Sequence, residues 1–296
     1  MNNYNKNMEK NIRKVLVIGA SGMLGNSIMR FFSESDEFVT IGTVRTESKK
    51  LLLPTQLHEN IISGVDINDI ETLKNVFLKV KPDFVINCIG VVKQLDHSND
   101  ALISIPINSL LPHLLARFCA DVKARLVHIS TDCVFSGSKG MYVESDIPDA
   151  VDLYGKSKYL GELDYSHTIT LRTSMVGHEL DSSRSLVGWF LSQKGIVKGY
   201  SNAIFSGLPT VEISRIIRDY ILPRPQLKGV YHVSAEPINK FVFLKLVAEV
   251  YGMNIVIEED KSLNIDRSLD SSLFRGITEY YPQPWPGLIK KMYEFK

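Results

Sequence analysis

The sequence predicts an α/β protein built on a doubly wound parallel sheet, with a smaller C-terminal lobe. Three observations carry this reading. Short apolar, β-branched runs alternate with segments of helical periodicity over some 160 residues, up to Arg172. Glycines recur at positions 19, 22 and 25, where the first strand meets the first helix. After Arg172 the alternation breaks, and Gly, Ser and charged residues cluster between Gly177 and Gly207.

Each element has its own reason. Residues 15–18 (Val-Leu-Val-Ile) suit a strand buried on both faces. Leu24, Ile28 and Phe32, flanked by Met29, repeat at helical spacing. Residues 38–44 form the second predicted strand, and 70–80 a helix ended by Pro82-Asp83. Strands follow at 84–89, 126–129 and from 169, with helices at 110–120 and 154–163. Beyond the break, 211–222 and 241–251 read as helices and 229–233 as a strand. This divides the chain into a mobile leader (1–13), a dinucleotide-binding domain (14–172, with returns around 208–235) and a lobe from 173–207 and 236–296. Pro282, Pro284 and Pro286 are expected to prevent a regular helix at the C-terminal end, with its aromatics pinned to the body.

Composition bounds the function. The chain has 296 residues, 44% of them hydrophobic, which suits a globular fold. With 34 basic and 33 acidic side chains, the net charge of +1 argues against a nucleic-acid-coating surface. Three scattered cysteines favour a reducing, cytoplasmic setting over a disulfide scaffold. No secretory signal is expected in the leader, and no membrane span is expected, since no run approaches about 18 apolar residues. Metal-ligand spacing is absent.

The glycine loop is the first chemical feature. Gly19 permits the turn, Gly22 lets backbone approach a pyrophosphate, and Gly25 lets the helix pack on the strand. Ser21, Met23 and Leu24 complete the loop, and the helix N-terminus offers N–H groups to phosphate. The second strand ends Gly42-Thr43-Val44-Arg45-Thr46, with no acid for a ribose 2′-hydroxyl. Arg45 instead suits a 2′-phosphate, unless it is simply a solvated surface arginine. NADP(H) is therefore favoured over NAD(H). Asp66, next to Ile67, either accepts from an adenine amino group or caps the helix entered at Asn68 and Asp69.

Tyr154 and Lys158 lie four residues apart and share one helical face. A nearby ammonium favours the phenolate, so the pair is expected to have a lowered tyrosine pKa and to pass a proton to a carbonyl oxygen. Thr131, at the end of a buried strand, can hydrogen-bond the same oxygen. Tyr-x-x-x-Lys alone is common on exposed helix faces; it gains meaning from the glycine loop and the strand-end hydroxyl.

These segments resemble the extended short-chain dehydrogenases/reductases, and most closely the dTDP-4-dehydrorhamnose reductase family. The likeness is carried by residues 19–25, 87–90, 130–137, 153–162, 171–174, 207–210 and 229–232. It implies a Rossmann-type doubly wound parallel sheet with a smaller C-terminal substrate-binding lobe. It implies NAD(P)H-dependent reduction of the C4 ketone of a nucleotide-diphospho-4-keto-6-deoxyhexose, a step in making cell-surface polysaccharide. Thr131, Tyr154 and Lys158 would be catalytic, and Asn108 would support the proton relay, although an asparagine there also suits a helix N-cap. Cys88, Ile89 and Gly90 would line the cofactor, and Thr173, Ser174 and Met175 would face the nicotinamide.

The chain departs from that pattern at Cys133, where an aromatic is usual, and at Met175, where tryptophan is usual. Both positions would face the sugar, which points away from dTDP-4-dehydrorhamnose itself. Cys133 matches a cysteine that acts as acid or base in the similar GDP-fucose synthases. A bifunctional 3,5-epimerase/4-reductase with a lowered thiol pKa, partnered by His178 or Arg184, is therefore an alternative. A non-catalytic NADP-binding regulatory subunit is another. Asp132, Lys93 and Gln94 are candidate sugar contacts. Arg184, Lys194 and Lys198 are candidates for the diphosphate, and Trp189 or Phe190 for the base, against the plainer reading of solvated charges and core aromatics. Dimers are common in the resembling family, which makes a homodimer a candidate assembly and leaves the oligomeric state open.

Overall fold

The computed structural model describes residues 12–91 and 99–296. Its strands are β1 (Arg13–Ile18), β2 (Phe38–Thr43), β3 (Ile61–Ile62), β4 (Phe84–Asn87), β5 (Arg125–Thr131), β6 (Thr168–Thr173), β7 (Met175–Val176), β8 (Ile196–Tyr200), β9 (Ala203–Phe205), β10 (Leu208–Pro209), β11 (Gly229–His232), β12 (Ile238–Asn239), β13 (Val256–Asp260) and β14 (Ile265–Asp266). The α-helices are α1 (Met23–Ser33), α2 (Glu47–Lys50), α3 (Ile70–Val80), α4 (Ala101–Ser104), α5 (Leu111–Val122), α6 (Leu153–Leu160), α7 (Leu186–Leu191), α8 (Thr210–Ile216), α9 (Lys240–Tyr251), α10 (Ser272–Thr278) and α11 (Trp285–Glu294).

Seven strands form one sheet in the order β11-β6-β5-β4-β1-β2-β3, and every pairing in it is parallel. The order reverses at β1, between β2 and β4, which makes the crevice beyond these strand ends the natural ligand position. Side chains of β1 alternate between two cores. Val15 and Val17 face α1, whose Leu24, Ile28, Met29 and Phe32 are buried with them. Leu16 and Ile18 face α3 and α5, where Leu73, Phe77, Leu115 and Cys119 pack. Burying each large apolar side chain contributes about 1.5–3 kcal/mol, so both helical layers are held mainly by this sheet. Beyond β6 the chain forms small sheets, β8 with β13 and β9 with β12 and β14, while β11 returns to the main sheet beside β6.

Two expectations are corrected. The helix expected at 110–120 begins earlier: α4, a π-helical stretch (Ile105–Leu110) and α5 run on as Ala101–Val122. Among the described residues this is one helix long and apolar enough to cross a membrane. In the fold its Leu111, Leu115, Ala116, Phe118 and Cys119 are buried in the core. The C-terminal prolines do not forbid a helix either. Pro286 lies in the first turn of α11, where its missing N–H is not needed. The aromatics do pin this end: Trp285 is 7% exposed and its indole N–H donates to the Glu236 carbonyl at 2.8 Å.

Candidate active site

The glycine loop joins β1 to α1. Gly19 has φ +89°, a backbone that a side chain disfavours. A Cβ on Gly25 would lie 2.1 Å from the Gly19 carbonyl oxygen, so only glycine lets α1 start this close to the strand. The N-cap is Gly22, and no side chain caps the helix. Its first N–H groups therefore remain available to an anion. Ser21 and Met23 are half-buried at this opening, and Leu24 turns into the core. The loop fits a dinucleotide pyrophosphate on this geometry.

Thr131 ends β5, 7% exposed, and its hydroxyl donates to Asp132 at 3.2 Å while accepting from the Cys133 N–H at 3.1 Å. α6 follows, capped by Asp152, which accepts from the Gly155 N–H at 2.7 Å. This helix is shorter than the expected 154–163 and ends at Gly161. Tyr154 and Lys158 stand one turn apart on it. Lys158 is 5% exposed, and its ammonium donates to the Ile129 carbonyl of β5 at 2.7 Å. Burial pulls its pKa down to about 8, opposed by the negative charge of Glu162.

The expected lowering of the Tyr154 pKa is not found. Burial pushes it above the ordinary tyrosine range, with a further push from Cys133; only the Thr131 hydrogen bond acts the other way. Burial is the largest cause, and it outweighs the neighbouring charge on which the expectation rested. Tyr154 thus keeps its proton at neutral pH, the form required of a donor.

Asn108 is not a helix N-cap. It lies in the π-helical stretch, where an extra residue per turn aims its side chain inward. Its Oδ1 accepts from the Val91 N–H at 2.8 Å, and its Nδ2 donates to the Val91 carbonyl at 3.2 Å and the Ser157 hydroxyl at 3.1 Å. It thereby ties the end of β4 to α6. Cys88, Ile89 and Gly90 are half-buried there, and a Cβ on Gly90 would stand 3.4 Å from Asn108 Oδ1 and 3.8 Å from Lys158 Nζ.

Cys133 corrects the expected thiol activation. Burial and then the Asp132 charge push its pKa up to about 12. Asp132 is 6% exposed, and burial raises its carboxyl against the opposing charge of Arg267. Arg267 is the residue the sequence reading missed. It follows β14 in the lobe, is half-buried, and its Nε donates to the Phe135 carbonyl at 2.9 Å. Its charge acts on both Asp132 and Cys133, and Lys240 of α9 acts on Asp132 as well. Nothing in the local pattern around Arg267 marks it, because only the return of the chain through β14 brings it to the β5 end.

The remaining predicted residues are dispersed. Arg45 is exposed at the carboxyl end of β2. Asp66 accepts from the backbone and side-chain N–H of Asn68 at 3.0 and 3.2 Å, and Asp69, not Asp66, caps α3. Ile67 packs on the core beneath. Thr173 is buried beside Thr131 in the β5–β6 register, while Ser174 and Met175 are half-buried after it. Arg184 and Lys194 are exposed, and Lys198 projects from β8 at 70% exposure, 3.6 Å from Asp260. Trp189 is 38% exposed and Phe190 fully buried. His178 is bonded to the Tyr251 hydroxyl at 2.8 Å and lies among residues of α1 and α11. Lys93 and Gln94 lie outside the described residues, as does most of the expected leader. No cluster of metal-ligating side chains occurs among the described residues.

Comparison with known proteins gives the same picture. A probable low-salt glycan biosynthesis reductase, Agl14, of Haloferax volcanii is 33% identical over 147 residues, 49% of this chain and 46% of that protein. The match thus spans less than half of that relative. Methionine adenosyltransferase 2 subunit beta of Xenopus tropicalis is 24% identical, covering 92% of this chain and 79% of that one. The crystal structure of dTDP-4-dehydrorhamnose reductase from Bacillus anthracis in complex with NADP has the same fold, with a TM-score of 0.79 at 21% identity, covering 96% of this chain and 100% of that one. The model of the RmlD substrate binding domain matches residues 13–273. With its glycine loop, its Tyr154–Lys158 helix and this match along nearly its whole length, the chain belongs to the RmlD family of extended short-chain dehydrogenases/reductases.

Proposed function

We propose that the protein is an NAD(P)H-dependent oxidoreductase that reduces the C4 ketone of a nucleotide-diphospho-4-keto-6-deoxyhexose. The observation that carries this reading is the meeting of Thr131, Tyr154 and Lys158 at the carboxyl end of β5. A bound nicotinamide supplies the hydride. Tyr154 gives its phenolic proton to the ketone oxygen, and Thr131, turning its hydroxyl proton away from Asp132, donates a hydrogen bond to the same oxygen. The Lys158 ammonium stabilises the phenolate left behind. Asn108 keeps Val91 and Ser157 in register around them.

The uncapped start of α1 and the glycine loop hold the pyrophosphate. Arg45, at a strand end whose residues 42–46 include no acid, favours NADP(H); Arg45→Ala should weaken NADPH binding far more than NADH. Asp66 and Ile67 border the adenine side, and Thr173, Ser174 and Met175 the nicotinamide side. Arg267 is the cation best set to meet an anionic group of the substrate beside Asp132 and Cys133. The raised Cys133 pKa favours a plain reductase over an epimerising one, since a thiol that keeps its proton is a poor base for a carbon acid. The exposed Leu102, Ile105, Leu110, Tyr159 and Leu160 on the 101–122 helix and α6 suit a homodimer. The setting that fits the free cysteines is cytoplasmic.

A second reading has one specific support: the 92% coverage by a protein named as a subunit of methionine adenosyltransferase. In that case the chain binds NADP and serves an assembly without turnover. The test is NADPH oxidation with a panel of dTDP-, UDP- and GDP-linked 4-keto sugars. Turnover of one member supports the reductase. Tight NADPH binding with no turnover of any member would sink it in favour of the subunit.

A further inference from the structure

Glu162 lies just beyond α6, one turn after Lys158. A Cβ on the intervening Gly161 would come 1.9 Å from the Asn108 carbonyl oxygen, so the helix end is pressed against the π-helical stretch. The Glu162 carboxylate is 5% exposed and Arg172 of β6 is 4% exposed. Arg172 grips it with both arms of the fork, Nε to Oε1 at 2.8 Å and Nη2 to Oε2 at 2.7 Å. Ser130 of β5 donates to Oε1 at 2.7 Å. The third guanidinium nitrogen of Arg172 donates to His232 Nε2 at 3.2 Å, so the His232 proton sits on Nδ1 and goes to the Tyr142 carbonyl at 2.9 Å. The ring is neutral, its pKa brought down to about 4 by burial and by Arg172.

Ser130, Arg172 and His232 are register partners across β5, β6 and β11. That rung lies one residue before Thr131 and Thr173. A buried ion pair is weak evidence for stability, because well-packed hydrocarbon serves as well. A bidentate fork fixes direction, which hydrocarbon does not.

We infer that Glu162 is a positioning residue for the reduction: clamped by Arg172 and Ser130, it holds α6 in the rotation that sets Tyr154 beside Thr131 and Lys158 under the end of β5, and it places a buried carboxylate four residues beyond Lys158. This role rests on the reading that Tyr154 and Lys158 carry the reaction. The other groups around Lys158 are Tyr154 on its own helix, neutral Gly90 and Asn108, and His128 on β5. Burial and then the Lys158 charge hold the His128 pKa well below its ordinary value, so it is neutral at neutral pH. Among the described residues, Glu162 is the charged group that acts on Lys158.

The experiment is a pH titration of the full chain carrying lysine labelled with carbon-13 at Cε, with the Lys158 signal assigned by its loss in Lys158→Met. The wild-type midpoint is expected near the value of about 8 set by burial. In Glu162→Gln it should fall by about one unit, while Glu162→Asp, which keeps the charge, should stay within about 0.3 unit. In turnover, the Glu162→Gln rate relative to wild type should then be about fivefold lower near pH 8 than near pH 6. A Lys158 midpoint unmoved by Glu162→Gln, or moved equally by Glu162→Asp, overturns the proposal. Should the lone glutamine leave Arg172 buried without a partner and unfold the chain, Glu162→Gln/Arg172→Met removes both charges, and its Lys158 midpoint must still lie below that of wild type. Wild-type turnover by Lys158→Met would remove the reading of the site itself, leaving the titration to judge Glu162 alone.

Discussion

The two sides of the candidate site are built in opposite ways. The β5–α6 side is buried and tied at every level: Thr131 to Asp132, Lys158 to Ile129, Asn108 to Val91 and Ser157, Glu162 to Arg172. The lobe side consists of short strands and cations of unequal exposure: Arg267 is half-buried and held by its Nε bond to the Phe135 carbonyl, whereas Lys198 is 70% exposed. The difference separates two tasks. Proton transfer needs groups fixed before the substrate arrives. Recognition of a charged, flexible ligand tolerates groups that settle on binding.

Substitutions sharpen this contrast in order of size. Gly25→Val should be the most damaging, because its side chain would collide with the Gly19 backbone. A loss of about 3 kcal/mol or more is expected by thermal or urea unfolding, together with loss of cofactor binding. On the lobe side, Arg267→Ala should raise the substrate KM about tenfold or more with cofactor affinity unchanged, consistent with a lost charge-assisted contact. Lys198→Ala should change KM less than about twofold, since an exposed, weakly paired lysine contributes little. Equal effects of these two would erase the distinction drawn between anchored and solvated cations.

Lys158→Met tests the buried side through stability. The folded-state pKa of Lys158, about 8, lies below the ordinary lysine value of 10.5. Below pH 8 both states hold the proton, and the folded state bears the full cost of a buried charge. Between 8 and 10.5 the unfolded chain holds more protons, so this cost fades as pH rises. The methionine variant should therefore be more stable than wild type by about 1–3 kcal/mol near neutral pH, with the gain shrinking toward pH 10. A gain that is constant with pH would contradict the assigned burial.

The fold was legible because its signals are local. β1, the glycine loop and α1 occupy consecutive residues, and the period changes from strand to helix at the turn itself. The placement of Tyr154 and Lys158 one turn apart on a single helix is legible for the same reason. Arg267 was not, because its partners Phe135, Asp132 and Cys133 lie on a distant part of the chain. Burial was equally invisible: it decided the sign of the Tyr154 and Cys133 shifts against an expectation based on neighbouring charge. The helix at the C-terminal end was misjudged because a proline count ignores position, and Pro286 sits where proline is tolerated.

If the buried side performs the chemistry, it does so through Tyr154. Tyr154→Phe removes the phenolic proton and leaves the rest of the site in place. With the 4-keto sugar that wild type turns over, kcat should fall at least about a hundredfold while the NADPH dissociation constant changes less than about threefold. Turnover at the wild-type rate with intact NADPH binding would contradict the account.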